Sequence, residues 1–164
     1  MNLQTAKLMA EAISYDEGDT ARIQHFIKVH DLAVTIGTLE DLDEKTMRIL
    51  ETAAILHDIG IHKSEEKYGS GAGHFQEIEG PPEAEGILKN LGGYGDDEIE
   101  RVKFLIGHHH TYSDTQGMDY QILIEADFLV NLYEEGSGLE AVETARNRIF
   151  KTKTGLKFLN EMFK

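Results

Sequence analysis

The chain has no cysteine among its 164 residues, which excludes disulfides, zinc ribbons and thiol catalysis. Any metal site must then be built from His, Asp, Glu and neutral oxygens, ligands that suit Fe, Mn, Co, Ni, Zn or Mg better than thiolate-loving metals. No apolar run approaches the roughly 18 residues of a membrane span. The start, MNLQTAKLMAEAISYDEGD, lacks the basic end and apolar core of a signal peptide. A cytoplasmic location with no membrane partner is the expectation. Basic residues are scarce, 16 Lys and Arg against 30 Asp and Glu, for a formal charge of -14. That balance excludes docking on a nucleic-acid backbone, which needs clustered cations. It leaves room for a small phosphorylated substrate, because a bound metal inverts the local field. Two-residue alternation bounded by hairpin turns is also missing, so the expected fold class is all-α.

The length is that of one domain able to bury its own core, and residues 1–164 are expected to form a single helical bundle. Apolar periodicity predicts helices over about 2–14, 20–38, 43–58, 81–91, 96–110, 118–134, 138–149 and 154–163. Asp19 or Thr20 suits the N-cap of the second and Asp43 that of the third. Asp96 or Asp97 opens the fifth, Pro81-Pro82 begins the fourth, and Gly60 fits a left-handed stop. Residues 61–80, polar and Gly-rich, are expected to form a long loop, either a cover for a pocket or a mobile surface segment.

Eight histidines are the compositional oddity, three of them consecutive at His108-His109-His110. His25 shares a helical stripe with Val29, Leu32 and Ile36 and so faces the core. His57 and Asp58 follow the apolar run Ala53-Ala54-Ile55-Leu56. An acid at a helix C-terminus opposes the helix dipole unless a cation sits beside it. On the stripe of Ile99, Val102 and Ile106, His109 falls near the centre, with His108 and His110 toward the edges. Asp127 shares a face with Leu123, Ile124 and Val130, whereas Glu125 lies among Ile122, Phe128 and Leu129. Periodicity does not choose between these two acids, and one of them is allowed to face solvent. His30, His62 and His74 read as surface or loop residues. Four helices thus each deliver an inward-leaning imidazole or carboxylate, as bundles do when they build metal sites. Two His and two acids leave coordination positions open, the mark of a catalytic site.

The segments RIQHFIKV, AAILHDIGI, LIGHHHTY and IEADFLVNL, in that order from about Arg22 to Leu132, resemble the HD-domain superfamily of metal-dependent phosphohydrolases. The signature of that superfamily is a His on an early helix, a His-Asp doublet ending another, and a later Asp on a further helix. The resemblance implies an HD-type bundle in which His25, His57, Asp58 and Asp127 ligate a divalent ion, and it decides for Asp127 over Glu125. It implies hydrolysis of a small phosphorylated substrate such as a nucleotide, by attack of an activated water on a phosphomonoester or phosphodiester. Asp58 is placed to orient that water as well as to ligate. Arg22, one turn before His25, offers a planar fork of donors to a phosphate oxygen.

Departures bear on the ion count. Many two-metal relatives carry a further His where QEIEGPPEAEGIL places Gln76, with Glu77 or Glu79 as oxygen substitutes. Ile61 stands where the His-Asp-x-Gly-Lys variant has its lysine, and the glycine-tyrosine-proline signature of the cyclic-dinucleotide branch is missing. One ion per chain is the expectation, with His108 and His109 contacting the phosphate or, in the alternative, a second ion. Two further readings belong to other classes: a diiron oxygenase on the same type of scaffold, and a non-catalytic metal or nucleotide sensor. The apolar stripe Leu156, Leu159, Met162 and Phe163 is expected to pack on the domain, a homodimer being the alternative.

Overall fold

The computed structural model describes residues 1–164 and contains nine helices and no strand. They are α1 (Leu3–Tyr15), α2 (Thr20–Leu39), α3 (Glu44–Leu56), α4 (Ile61–Tyr68), α5 (Gly73–Leu91), α6 (Asp96–Ile106), α7 (Met118–Glu134), α8 (Leu139–Arg148) and α9 (Lys153–Met162). Side-chain caps begin several of them. Asp19 accepts from the Arg22 N–H at the head of α2, and Asp43 from the Thr46 N–H at the head of α3. Gly95 precedes α6, where Glu98 accepts the Gly95 N–H and three acids occupy the first turn beside the positive end of the helix.

Helices α2, α3 and α7 pack on one another at the centre, with α6 against α3 and α5 against α6. Leu50, Leu56, Ile106 and Leu123 are completely buried in the resulting core. Each such side chain contributes about 1.5–3 kcal/mol relative to exposure. Helix α7 is buried from Asp119 to Val130 except at half-buried Phe128, and both Glu125 and Asp127 are buried, so neither is the solvent-facing acid of that helix. On α9, Leu159 is buried and Leu156 and Phe163 pack against the core, while Met162 is half exposed.

The long loop expected over residues 61–80 is not there. That stretch holds α4 and the first turns of α5, joined across a short turn that begins at Gly69. Gly69 takes the left-handed conformation (φ 68°), and its N–H bonds the Glu65 carbonyl. Tertiary contacts favour helix over the weak local pattern here: the Tyr68 and Phe75 rings stack at 4.2 Å. Pro81 and Pro82 lie inside α5 instead of starting it, and remove the N–H groups that would reach the Glu77 and Ile78 carbonyls.

Gly60 is right-handed (φ -82°), not the left-handed stop expected of it. It is small because α5 crosses it: a Cβ at Gly60 would lie 2.5 Å from the Gly80 nitrogen and 2.8 Å from the Gly80 Cα. This crossing sits just past the His57-Asp58 pair and fixes α5 beside it. Helices α3 and α6 also stop short of the expected 58 and 110. Both tighten into i→i+3 turns, Ile59 N–H to Leu56 O and His108 N–H to Leu105 O, so the doublet and the His triplet project from turns.

Candidate metal centre

Four elements deliver imidazole and carboxylate groups to one buried point. His25 comes from α2, His57 and Asp58 from the turn after α3, His109 from the turn after α6, and Asp127 from α7. His25 Nε2 lies 3.2 Å from His57 Nε2, 3.1 Å from Asp127 Oδ1 and 3.4 Å from Asp58 Oδ2. His57 Nε2 is 3.6 Å from Asp58 Oδ2 and 3.5 Å from Asp127 Oδ1. His109 Nε2 approaches the other Asp58 oxygen, Oδ1, at 3.4 Å. His57 and His109 are buried, and the Asp58 side chain is 11% exposed, which leaves a narrow opening at that carboxylate.

The outer ring nitrogens settle the tautomers. His57 Nδ1 donates to the Ala54 carbonyl at 2.8 Å, His109 Nδ1 to the Ile106 carbonyl at 2.7 Å, and His25 Nδ1 to Glu134 Oε2 at 2.8 Å. Each neutral ring therefore turns an Nε2 lone pair toward the cluster. Two lone pairs face each other between His25 and His57, and His109 Nε2 is buried with no hydrogen-bond partner. These lone pairs and carboxylate oxygens, met only by Asn131 at Asp127 and Arg22 at Asp58, repel one another, and a divalent cation removes that conflict. The donor set, imidazole nitrogen plus carboxylate oxygen, suits such an ion. His25, His57 and Asp58 have donor atoms within 4.8 Å of one another, as do Asp58, His109 and His110.

Without a cation, protons take its place. Burial opposes charge on His25, but Asp127, Asp58 and Glu134 outweigh it and raise its pKa to about 9. His57 is raised despite burial, by Asp58 and Asp127. Asp58 and Asp127 are held well below the usual carboxylate range: burial pushes them up, and the surrounding imidazoles overcome it. His110 is driven down to about 4 by burial and by His109.

The remaining candidates are disposed around this point. Arg22 Nη1 is 3.5 Å from Asp58 Oδ2, and its Nε is buried without a hydrogen-bond partner. His108 is half-buried outside the cluster, bonded to the Phe104 carbonyl and stacked on the Phe104 ring. Glu77 accepts from the Thr111 hydroxyl at 3.1 Å, and Glu79 is engaged by Lys67 at 2.9 Å and Tyr68 at 2.7 Å. Neither glutamate joins the converging donors. Glu125 points away to the head of α9, where it accepts from the Lys151 and Thr152 backbone. His74 is exposed, and half-buried His62 pairs with Asp16 at 3.3 Å and Asp19 at 3.4 Å, away from the cluster. His30, expected at the surface, is buried and bonded to Glu51 at 3.1 Å, far enough along α2 to miss the cluster.

Two supporting residues stand outside the set expected from the sequence. Asn131 donates to Asp127 Oδ1 at 3.0 Å, and Glu134 bridges His25 to Lys28, whose Nζ lies 2.6 Å from Glu134 Oε1. They follow Asp127 by four and seven residues, the spacing of one helix face, and that spacing was the available signal. The Gln76 amide nitrogen donates to the Gly71 carbonyl, so its oxygen accepts from His110 Nε2 at 3.1 Å.

Comparison with known proteins shows what the chain as a whole is similar to. A family model described as HD domain matches residues 22–147. A crystal structure titled as a predicted HD superfamily hydrolase from an uncultured Thermotogales bacterium superposes with a TM-score of 0.65 at 25% identity. That likeness covers 96% of this chain and 82% of the other. A Shewanella oneidensis protein described as a UPF0276 protein is 32% identical over 68 residues, 42% of this chain. The match spans 24% of that protein, so the chain corresponds to about a quarter of its length.

Proposed function

The chain belongs to the HD-domain family, a family of metal-dependent hydrolases, and from that premise we propose that it is a phosphohydrolase acting on a small phosphorylated molecule, with nucleotides the first class to try. In this reading residues 1–164 act as one unit, and His25, His57, Asp58 and Asp127 hold one divalent ion. The observation that carries it is the convergence at a buried point of the His25 and His57 Nε2 lone pairs, 3.2 Å apart and each 3.1–3.6 Å from an oxygen of Asp58 and an oxygen of Asp127. A bound divalent ion supplies Lewis acidity there, easing deprotonation of water and offsetting charge on phosphoryl oxygens.

The protein groups do the rest. Asp58, which reaches toward both His57 and His109, orients the attacking water by accepting its proton in a hydrogen bond. His109 Nε2, a lone pair without a hydrogen-bond partner in the protein, accepts a hydrogen bond from that water. Arg22 meets a phosphoryl oxygen with its guanidinium, which the Asp58 contact keeps at the rim of the site. Burial of the imidazoles limits access of bulk water to the reacting phosphorus.

A two-ion centre is the second reading, and one observation favours it: the donors of Asp58, His109 and His110 also cluster, sharing Asp58 with the first group. Against it, both His110 nitrogens are engaged, Nε2 by the Gln76 oxygen and Nδ1 by the Tyr112 hydroxyl at 3.4 Å. Two irons with oxygen uptake would mark an oxygenase, and tight ligand binding without turnover a sensor. The deciding experiment is phosphate release from a panel of phosphomonoesters, phosphodiesters and nucleotides by protein loaded in turn with Mn, Fe, Co, Ni, Zn and Mg. Release that disappears in Asp58→Asn supports the proposal; metal-replete protein that cleaves none of the panel overturns it.

A further inference from the structure

Two hollows share a wall beside the donor cluster. The smaller, about 290 Å³, is lined by His110, Tyr112, Phe128, Asn131, Leu132 and Glu135. It begins at the cluster, because Asn131 bonds Asp127 and the Tyr112 hydroxyl touches His110. The larger, about 750 Å³, takes up Tyr112, Phe128, Leu132 and Glu135 again and runs on along α8 to Arg148 and Ile149. Together they form one groove leading outward from the buried carboxylates.

Its chemistry is graded. Next to the cluster, the Tyr112 and Phe128 rings meet edge to face, centroids 5.0 Å apart. Such a corner offers one ring face and one ring edge to a planar group. At the far end stands an unusual cation. Of the five arginines, Arg22, Arg48, Arg101 and Arg146 each have a carboxylate within 4.0 Å, at Asp58, Glu98, Asp119 and Glu143 respectively. Arg148 has none and makes no side-chain hydrogen bond, in a chain of net charge -14. Its fork of donors is open to a ligand anion.

We propose that this groove is the leaving-group subsite, and that the substrate class is a phosphate ester whose leaving group carries a planar ring and, beyond it, a second anionic group. The assignment rests on the phosphohydrolase reading. Hydrolysis forms a bond from water oxygen to phosphorus, breaks the bond from phosphorus to the ester oxygen, and leaves a proton on the departing alcohol. The ring of that alcohol lies on Tyr112 and Phe128, and its distal anion meets Arg148. The Tyr112 phenol, pushed up to about 12 by burial and then by Asp127, Glu77 and Glu135, stays protonated and donates.

The test separates the groove from the chemistry. Adenosine 3′-monophosphate and adenosine stand in for a leaving group with and without the distal anion. Their binding to metal-free protein is measured by calorimetry, where turnover plays no part. Arg148→Gln is expected to weaken the monophosphate about three- to tenfold and erase its advantage over adenosine. Phe128→Leu, which keeps an apolar side chain, is expected to weaken both compounds by a similar factor, with circular dichroism confirming the fold. Absence of binding, or binding indifferent to both substitutions, overturns the subsite. Failure of the phosphohydrolase reading appears separately, as no phosphate release by metal-loaded protein whose groove still binds both compounds.

Discussion

Replacing Glu125 separates the two buried acids of α7 by consequence. Its Oε1 accepts from Gln121 Nε2 at 2.7 Å, Lys151 N at 2.7 Å and Thr152 N at 2.9 Å, and its Oε2 accepts from the Thr152 hydroxyl. That hydroxyl in turn caps Gly155 N, so the carboxylate anchors the start of α9. Glu125→Gln keeps the volume and the acceptor oxygen but loses the charge. Hydrogen bonds to charged groups contribute about 1.5–3 kcal/mol and neutral ones about 0.5–1.5, so the loss is about 1–2 kcal/mol. Glu125→Ala leaves the buried Thr152 N–H and one of the two Gln121 amide hydrogens without acceptors, the other staying on the Ile149 carbonyl, and Lys151 N–H with water at best. With the cavity added, that costs about 3–6 kcal/mol, a large part of an ordinary domain's stability. For a chain of this size each kcal/mol lowers Tm by about 2–4 °C. The melts are run on metal-free protein, because bound metal itself raises Tm. The expected result is a Tm lowered by about 2–8 °C in Glu125→Gln with metal stoichiometry retained. A variant that melts like the wild type but no longer binds metal would refute this division of labour between Glu125 and Asp127.

Other predictions follow from the same geometry. Gly60→Ala pits backbone entropy, which favours alanine at φ -82° by about 0.4–1 kcal/mol, against a Cβ 2.5 Å from the Gly80 backbone. Overpacking costs about 1–3 kcal/mol and wins, so thermal denaturation should show a destabilised protein; a raised Tm contradicts the close crossing. Glu134→Ala removes the acceptor that orients His25, and chelator competition should show metal affinity falling about 10- to 100-fold; unchanged affinity would make the contact ornamental. In metal-free protein His25 is raised from 6.5 to about 9, so its stabilising proton is fully held below pH 6.5 and lost as pH rises through 9. Metal binding at pH 7 should therefore release about one proton from that ring and tighten as pH rises, read by calorimetry in buffers of different ionisation enthalpy. Proton-neutral binding would refute it.

Much of the molecule was legible in the sequence where a strong local signal agreed with the fold. Asp19 and Asp43 cap the helices they were expected to cap, and the stripes of α2 and α6 turn His25 and His109 inward. Helix α7 was not legible in this way. A helix buried over most of its length has no polar face, so periodicity carries no information about which of its acids points where. Only the contacts to the head of α9 on one side and to His25 on the other separate Glu125 from Asp127. Residues 61–80 misled for the opposite reason: glycines and charges weaken the local helical signal, and the structure there depends on Tyr68 against Phe75 and Gly60 against Gly80. Glu134 and Asn131 are not legible as ligands because they act one contact behind the cluster, through His25 and Asp127.

Metal content decides whether the converging His and Asp groups hold a divalent ion. Elemental analysis of tag-free protein, purified and reloaded under identical conditions beside Asp58→Ala and Glu125→Gln, tests this most directly. About one ion per chain is expected in the wild type and in Glu125→Gln, and almost none in Asp58→Ala. Equal occupancy in wild type and Asp58→Ala, or none in the wild type after reloading, would contradict it.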